Sequence, residues 1–148
     1  MQQQTSPIRI GIVGYGNLGR GVEAAIAQNP DMQVSGVFSR RPPAQVKTVL
    51  ASTPVFDMAA LDAQQGPNDV LILCGGSKDE LPSRSPAPGA QFNLVDSFDT
   101  HARIPEHFAA VDAAAQAGQT TALISAGWDP GMFSINRVMG QAPPPGGD

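Results

Sequence analysis

Cysteine occurs once in this 148-residue sequence, at Cys74, so no internal disulfide can form. A lone thiol fits a reducing compartment, and a cytoplasmic location is the expectation that follows. Lysine is almost missing, present only at Lys47 and Lys78, and acidic groups outnumber basic ones by 13 to 9 for a formal net charge of −4. No basic stripe stands out, which argues against nucleic acid or an anionic membrane surface as partner. No apolar run approaches the roughly 20 residues of a membrane span. The opening Met1-Gln2-Gln3-Gln4-Thr5-Ser6 has neither the basic nor the apolar region of a signal peptide. His101 and His107 show no metal-ligand spacing, and no repeat of solenoid period is present.

What remains is a chain long enough for one domain with a real core and too short for two. Short apolar runs alternate with helical periodicity. Strands are expected at 8–13, 32–38, 55–56, 69–74, 92–95 and 121–125. Leu18, Val22, Ala25 and Ile26 recur at helical spacing until Asn29-Pro30 stops the helix. Ile104, Phe108, Val111 and Ala115 share the face of a second helix, with Pro105 in its first turn and Gly118 closing it. Asp57 is a cap for a short helix, 83–89 reads as loop, and a last helix runs to about Met139. This alternation predicts an α/β, Rossmann-type doubly wound fold, with a mostly parallel sheet and helices on both faces. Residues 8–139 are its expected extent; 1–7 and the Pro/Gly-rich 140–148 are expected to be disordered.

Gly14-Tyr15-Gly16-Asn17-Leu18-Gly19 lies between the first strand and the first helix, the setting in which a G-x-G-x-x-G string acquires meaning. The first glycine permits the tight turn. The second removes a side chain where a pyrophosphate meets the backbone, and the third brings helix close to strand. The new helix then presents amide donors and a positive dipole end to phosphate charge. A dinucleotide site for NAD carries an acidic residue near the end of the second strand, to meet the ribose hydroxyls. Here that position reads Ser39-Arg40-Arg41. Two guanidiniums and a hydroxyl suit a 2′-phosphate, so the expected cofactor is NADP.

Further segments share these strand ends: Thr53-Pro54-Val55-Phe56-Asp57, Asp96-Ser97-Phe98-Asp99, and Gly127-Trp128-Asp129-Pro130-Gly131-Met132-Phe133-Ser134-Ile135-Asn136-Arg137. Together with the glycine string and Phe38-Ser39-Arg40-Arg41 they resemble meso-diaminopimelate D-dehydrogenase over residues 8 to about 139, its nucleotide-binding half. The 127–137 stretch is the most specific part. The resemblance implies an NADP-dependent, reversible oxidative deamination at the D-centre of meso-2,6-diaminopimelate, giving L-2-amino-6-oxopimelate and ammonia in lysine biosynthesis. It implies that Gly14, Gly16, Asn17, Leu18 and Gly19 hold the pyrophosphate and that Ser39, Arg40 and Arg41 hold the 2′-phosphate. Cys74, Gly75, Gly76, Ser77 and Asp96 are implied as further cofactor contacts. Asp99 and Asp129 are implied to receive the amino-acid substrate and act in catalysis, with Trp128 walling the pocket. A full-length enzyme of this kind is expected to be a homodimer.

Plainer roles stand beside these. Asp129 can cap the last helix with Pro130 at its first position, Asp99 can cap a turn, and Trp128 can fill core. Cys74 reads as a small buried apolar residue, not a nucleophile. The likeness fades after Val138, where family members continue through a long second half, so a fragment with little activity alone is the expectation. A non-catalytic NADP(H)-binding module or redox sensor is the alternative. Another amino-acid-pathway reductase with a related nucleotide half, such as dihydrodipicolinate reductase, is a weaker one.

Overall fold

The computed structural model of the chain describes residues 6–64, 67–76, 81 and 85–141. Strands β1 (Ile8–Val13), β2 (Met32–Ser39), β3 (Val55–Asp57), β4 (Val70–Leu73), β5 (Asn93–Asp96) and β6 (Ala122–Leu123) form one sheet. Their order is β3-β2-β1-β4-β5-β6, and every neighbouring pair is parallel. This is the doubly wound order, with the direction of winding reversing between β1 and β4. Helices α1 (Asn17–Ile26), α2 (Pro86–Gly89), α3 (Ile104–Gly118) and α4 (Met132–Gln141) accompany it. Helix α1 joins β1 to β2 toward one edge, and α3 joins β5 to β6 toward the other. Right-handed connections therefore put them on opposite faces.

Side chains of β4 divide between those faces as strand alternation requires. Leu71 and Leu73 enter a core with Phe38, Leu61, Leu81, Phe92, Leu94 and Phe98, against which Ile104 of α3 packs. Ile72 and Cys74 meet the other core, built from Ile10, Ile12, Tyr15, Ile26, Val37 and Val46, with Val22 of α1 packed on it. A near-continuous apolar run is thus explained by burial on both sides. At the far end of the sheet, Asp69 accepts from the Arg9 backbone at 2.8 Å and from its guanidinium at 3.0 and 2.7 Å. The Arg9 hydrogen bonds hold the Asp69 carboxyl well below its ordinary value, at about 2. What this pair adds to stability is present above the ordinary carboxylate range and lost as pH falls toward 2. Both side chains are about two-fifths exposed, so solvent screens much of it.

Several local expectations are corrected. Helix α1 buries Gly19, Glu23 and Ile26, whereas Leu18 and Ala25 face solvent. The face is rotated toward a carboxylate because Glu23 finds buried donors. On α3 it is His107, not Phe108, that turns inward beside Val111 and Ala115; Phe108 is exposed. Gly118 is the last residue of α3, and the left-handed cap is Gln119, at φ 55°. Glycine is needed at 118 because a Cβ there would lie 2.0 Å from the Ala90 carbonyl oxygen. Residues 86–89 form a helical turn, since prolines in a first turn give up no hydrogen bond. Helix α4 begins at Met132, so Pro130 is not its first residue. It continues through Gln141, which makes 140 and 141 helical. The remaining tail, 142–148, and residues 1–5 lie outside the described residues.

Candidate functional site

The glycine string leaves β1 at the point where the winding reverses. Gly14 has φ +91°, a conformation open to glycine at little cost, and a Cβ there would press on the Cys74 carbonyl at 3.1 Å. A Cβ on Gly19 would stand 2.4 Å from the Gly14 carbonyl oxygen, so the helix lies against the strand end only without it. Gly16 differs. Among the described residues, a Cβ there meets no atom of another part of the chain within 4 Å. Packing among the described residues therefore gives no reason for glycine at 16, whereas an approaching ligand does.

Gly16 is also the N-cap of α1 and makes no side-chain capping bond. The first backbone bond of the helix runs from the Arg20 amide to the Gly16 carbonyl at 3.1 Å. The amides of Asn17, Leu18 and Gly19 precede it, at the end of a helix that attracts anions.

A cavity of about 560 Å³ opens beside this turn. It is lined by Gly14, Gly16, Ser39, Arg40, Arg41, Cys74, Gly75 and Gly76, so residues from the ends of β1, β2 and β4 converge on it. Ser39 is buried, and its hydroxyl accepts from the Arg41 amide at 3.0 Å. The Arg41 guanidinium donates to the Tyr15 carbonyl, which turns it back toward the glycine loop. Burial pushes the Cys74 thiol up to about 12, so it stays protonated at neutral pH and packs as an apolar group. Ser77 lies outside the described residues.

Sequence reasoning missed the opposite wall, made by Met58, Leu61, Asp62, Leu81, Ala87 and Pro88. Its signal was position: residues 58–62 directly follow the end of β3, the edge at which ligands collect in such sheets. Asp57 does cap its short helix, accepting from the Ala59 amide at 2.9 Å.

Asp96, Asp99, Trp128 and Asp129 do not line this cavity. The Asp96 carboxylate is enclosed and accepts from the Phe98 amide at 3.1 Å and the Ser125 amide at 2.9 Å; His107 Nε2 stands 2.6 Å from its other oxygen. The Asp96 carbonyl accepts from the Ala126 amide at 2.8 Å. Asp96 thereby ties the loop after β5 to the loop after β6. A second link joins the same loops, His101 Nε2 lying 3.7 Å from Asp129. Asp99 and Asp129 thus sit on neighbouring loops. Asp99 is exposed, and Trp128 is 65% exposed and stacked on Phe133 at 6.0 Å instead of filling core. Asp129 accepts from the Ser134 hydroxyl at 2.8 Å, with Arg137 at 3.7 Å from its second oxygen. It steadies the entry to α4 through a side chain, not by capping a backbone amide.

Fold and cavity together define a Rossmann-type domain, a parallel sheet wound around a crevice with a glycine turn at its centre. No protein-family model matches the chain. Similarity to individual proteins is high: the meso-diaminopimelate D-dehydrogenase of Lysinibacillus sphaericus is 56% identical over 137 residues, 93% of this chain and 42% of the relative. The Corynebacterium glutamicum diaminopimelate dehydrogenase, solved in complex with diaminopimelate, superposes with a TM-score of 0.80 at 48% identity, over 91% of this chain and 41% of that one. An engineered D-amino acid dehydrogenase bound to NADP+ gives the same TM-score and identity over 90% of this chain and 40% of its own. The chain resembles the N-terminal part of meso-diaminopimelate D-dehydrogenases, and it spans about two-fifths of their length.

Proposed function

We propose that this chain binds NADP(H) and forms the nucleotide half of a meso-diaminopimelate dehydrogenase. The observation that carries the reading is Ser39, Arg40 and Arg41 lining the cavity at the end of β2, where a carboxylate would select NAD. Gly14, Gly16 and the amides of Asn17, Leu18 and Gly19 take the pyrophosphate, with Arg40 and Arg41 on the 2′-phosphate. Cys74, Gly75 and Gly76 form the edge along which the rest of the dinucleotide lies. Bound nicotinamide supplies hydride transfer. Asp129 and Asp99 are the carboxylates to hold a substrate ammonium and help remove its proton, since hydride leaves readily only from the neutral amine. His101 and Arg137 flank Asp129, each at 3.7 Å from one of its carboxylate oxygens. The relatives' similarity supports the reaction; the chain's own cavity supports the cofactor.

Arginine substitutions test the reading. Removing one charge-assisted contact costs about 1.5–3 kcal/mol, roughly ten- to a hundred-fold in affinity. Calorimetry on Arg40→Ala and Arg41→Ala is expected to show NADP+ affinity falling on that scale while NAD+ affinity barely moves. Equal losses for the two cofactors would place the 2′-phosphate elsewhere.

A further inference from the structure

Glu23 is fully buried on α1, yet it lines no part of the cavity. Its carboxylate accepts from the Thr53 hydroxyl at 2.6 Å, from the Val49 amide at 2.9 Å and from the Leu50 amide at 3.2 Å. The Tyr15 hydroxyl donates to it as well, and itself accepts from the Val49 amide at 2.9 Å. One carboxylate thus fastens three pieces of chain: the glycine loop through Tyr15, helix α1, and the 49–53 segment that leads into β3. Burial alone would raise the Glu23 carboxyl. The bonds from Thr53, Tyr15, Val49 and Leu50 outweigh that and hold it below its ordinary value, so it is ionised at neutral pH.

The network reaches the ribose-phosphate corner through one residue. Tyr15 is the side chain Glu23 holds, and its main-chain carbonyl is the acceptor for the Arg41 guanidinium. The backbone of Arg41 is fixed separately by Ser39. Arg41 is therefore steadied at both ends, and the acceptor at its charged end is set by a carboxylate that touches no cavity surface.

We infer that Glu23, with Tyr15 and Thr53, is a positioning network for the 2′-phosphate subsite, holding the Arg41 guanidinium where it discriminates NADP from NAD. The inference rests on the NADP reading above and extends it to residues that do not contact the cofactor. A long arginine left without its acceptor samples many rotamers, and ordering it on binding then costs affinity. NAD, which lacks the 2′-phosphate, does not need it.

Glu23→Gln keeps the shape of the side chain and turns an NH2 toward amide donors, breaking the network. Isothermal titration with NADP+ and NAD+ is expected to show NADP+ affinity about ten-fold lower and NAD+ affinity little changed, the scale of one lost charged hydrogen bond. Thr53→Ser, which keeps the hydroxyl, is expected to behave as the unmodified chain; Thr53→Val is expected to shift in the direction of Glu23→Gln. Should Glu23→Gln fail to fold, Tyr15→Phe and Thr53→Val carry the same comparison. A merely structural role would weaken both cofactors together, and that result, or an unchanged ratio of the two affinities, overturns the inference. An unmodified chain without NADP+ preference would overturn the reading beneath it, and the inference with it. A preference present in the unmodified chain and lost in Arg41→Ala, but intact in Glu23→Gln, would overturn the inference alone.

Discussion

Gly16→Val is expected to abolish NADP(H) binding while the protein without cofactor unfolds at nearly the same temperature. Among the described residues the position is open: a Cβ at Gly16 meets no atom of another part of the chain within 4 Å, and its φ of −91° is one any residue adopts. Valine there strains nothing in the chain itself, and the cost of a poorer N-cap is about 1 kcal/mol or less. A pyrophosphate brought against the amides of α1 would overlap the branched side chain. Overlap of about 3 kcal/mol or more corresponds to roughly a hundred-fold loss of affinity at least. Gly19→Ala is the contrasting substitution, because its Cβ would stand 2.4 Å from the Gly14 carbonyl oxygen. That variant is expected to lose about 1–3 kcal/mol of stability before any ligand is added. Thermal melts of both variants with and without NADPH read the two effects side by side. A Gly16→Val protein still stabilised by NADPH would mean that the phosphates bind elsewhere.

The second large effect is on stability. Asp96→Ala removes the acceptor of the Phe98 and Ser125 amides and the partner of His107, in a site where both side chains are almost fully enclosed. Each buried donor left unpaired costs about 1–3 kcal/mol. Denaturant unfolding is expected to show a loss in that range. Asp96→Asn keeps one acceptor oxygen and should lose less. The comparison also decides how Asp96 serves the site. If it acts by holding the loops after β5 and β6, the folded Asp96→Asn protein binds NADPH nearly as the unmodified chain does. If its carboxylate contacts the cofactor, affinity falls even in the variant that folds well.

The strand–turn–helix at the start of the chain was legible because three independent signals agree there: an apolar run, glycines at fixed spacing, and helical periodicity. Ser39-Arg40-Arg41 was legible for a related reason, since the end of the second strand has a known place in the fold. Which residues face inward was less so. Positions 107 and 108 of α3 both fit the helical stripe, and hydrophobicity favours Phe108, but the Asp96 carboxylate makes His107 the better buried group. The same competition hid Glu23, whose partners at 49, 50 and 53 are remote in sequence and are mostly backbone groups. A carboxylate next to Val22 and Ile26 on an otherwise apolar face was the available sign. Glycine commonly ends helices, which makes Gly118 look like a cap, while its cause is the Ala90 carbonyl from a distant turn. Periodicity and propensity report local preference; buried polar partners and close backbone approaches are set by the tertiary fold.

The most direct measurement of the central claim is calorimetric titration of the unmodified 148-residue chain with NADPH and, in parallel, NADH. The cavity at the glycine turn, walled by Ser39, Arg40 and Arg41, predicts one site per chain with NADPH bound roughly ten-fold or more tightly than NADH. Equal affinity for the two, or no binding of either, would contradict it.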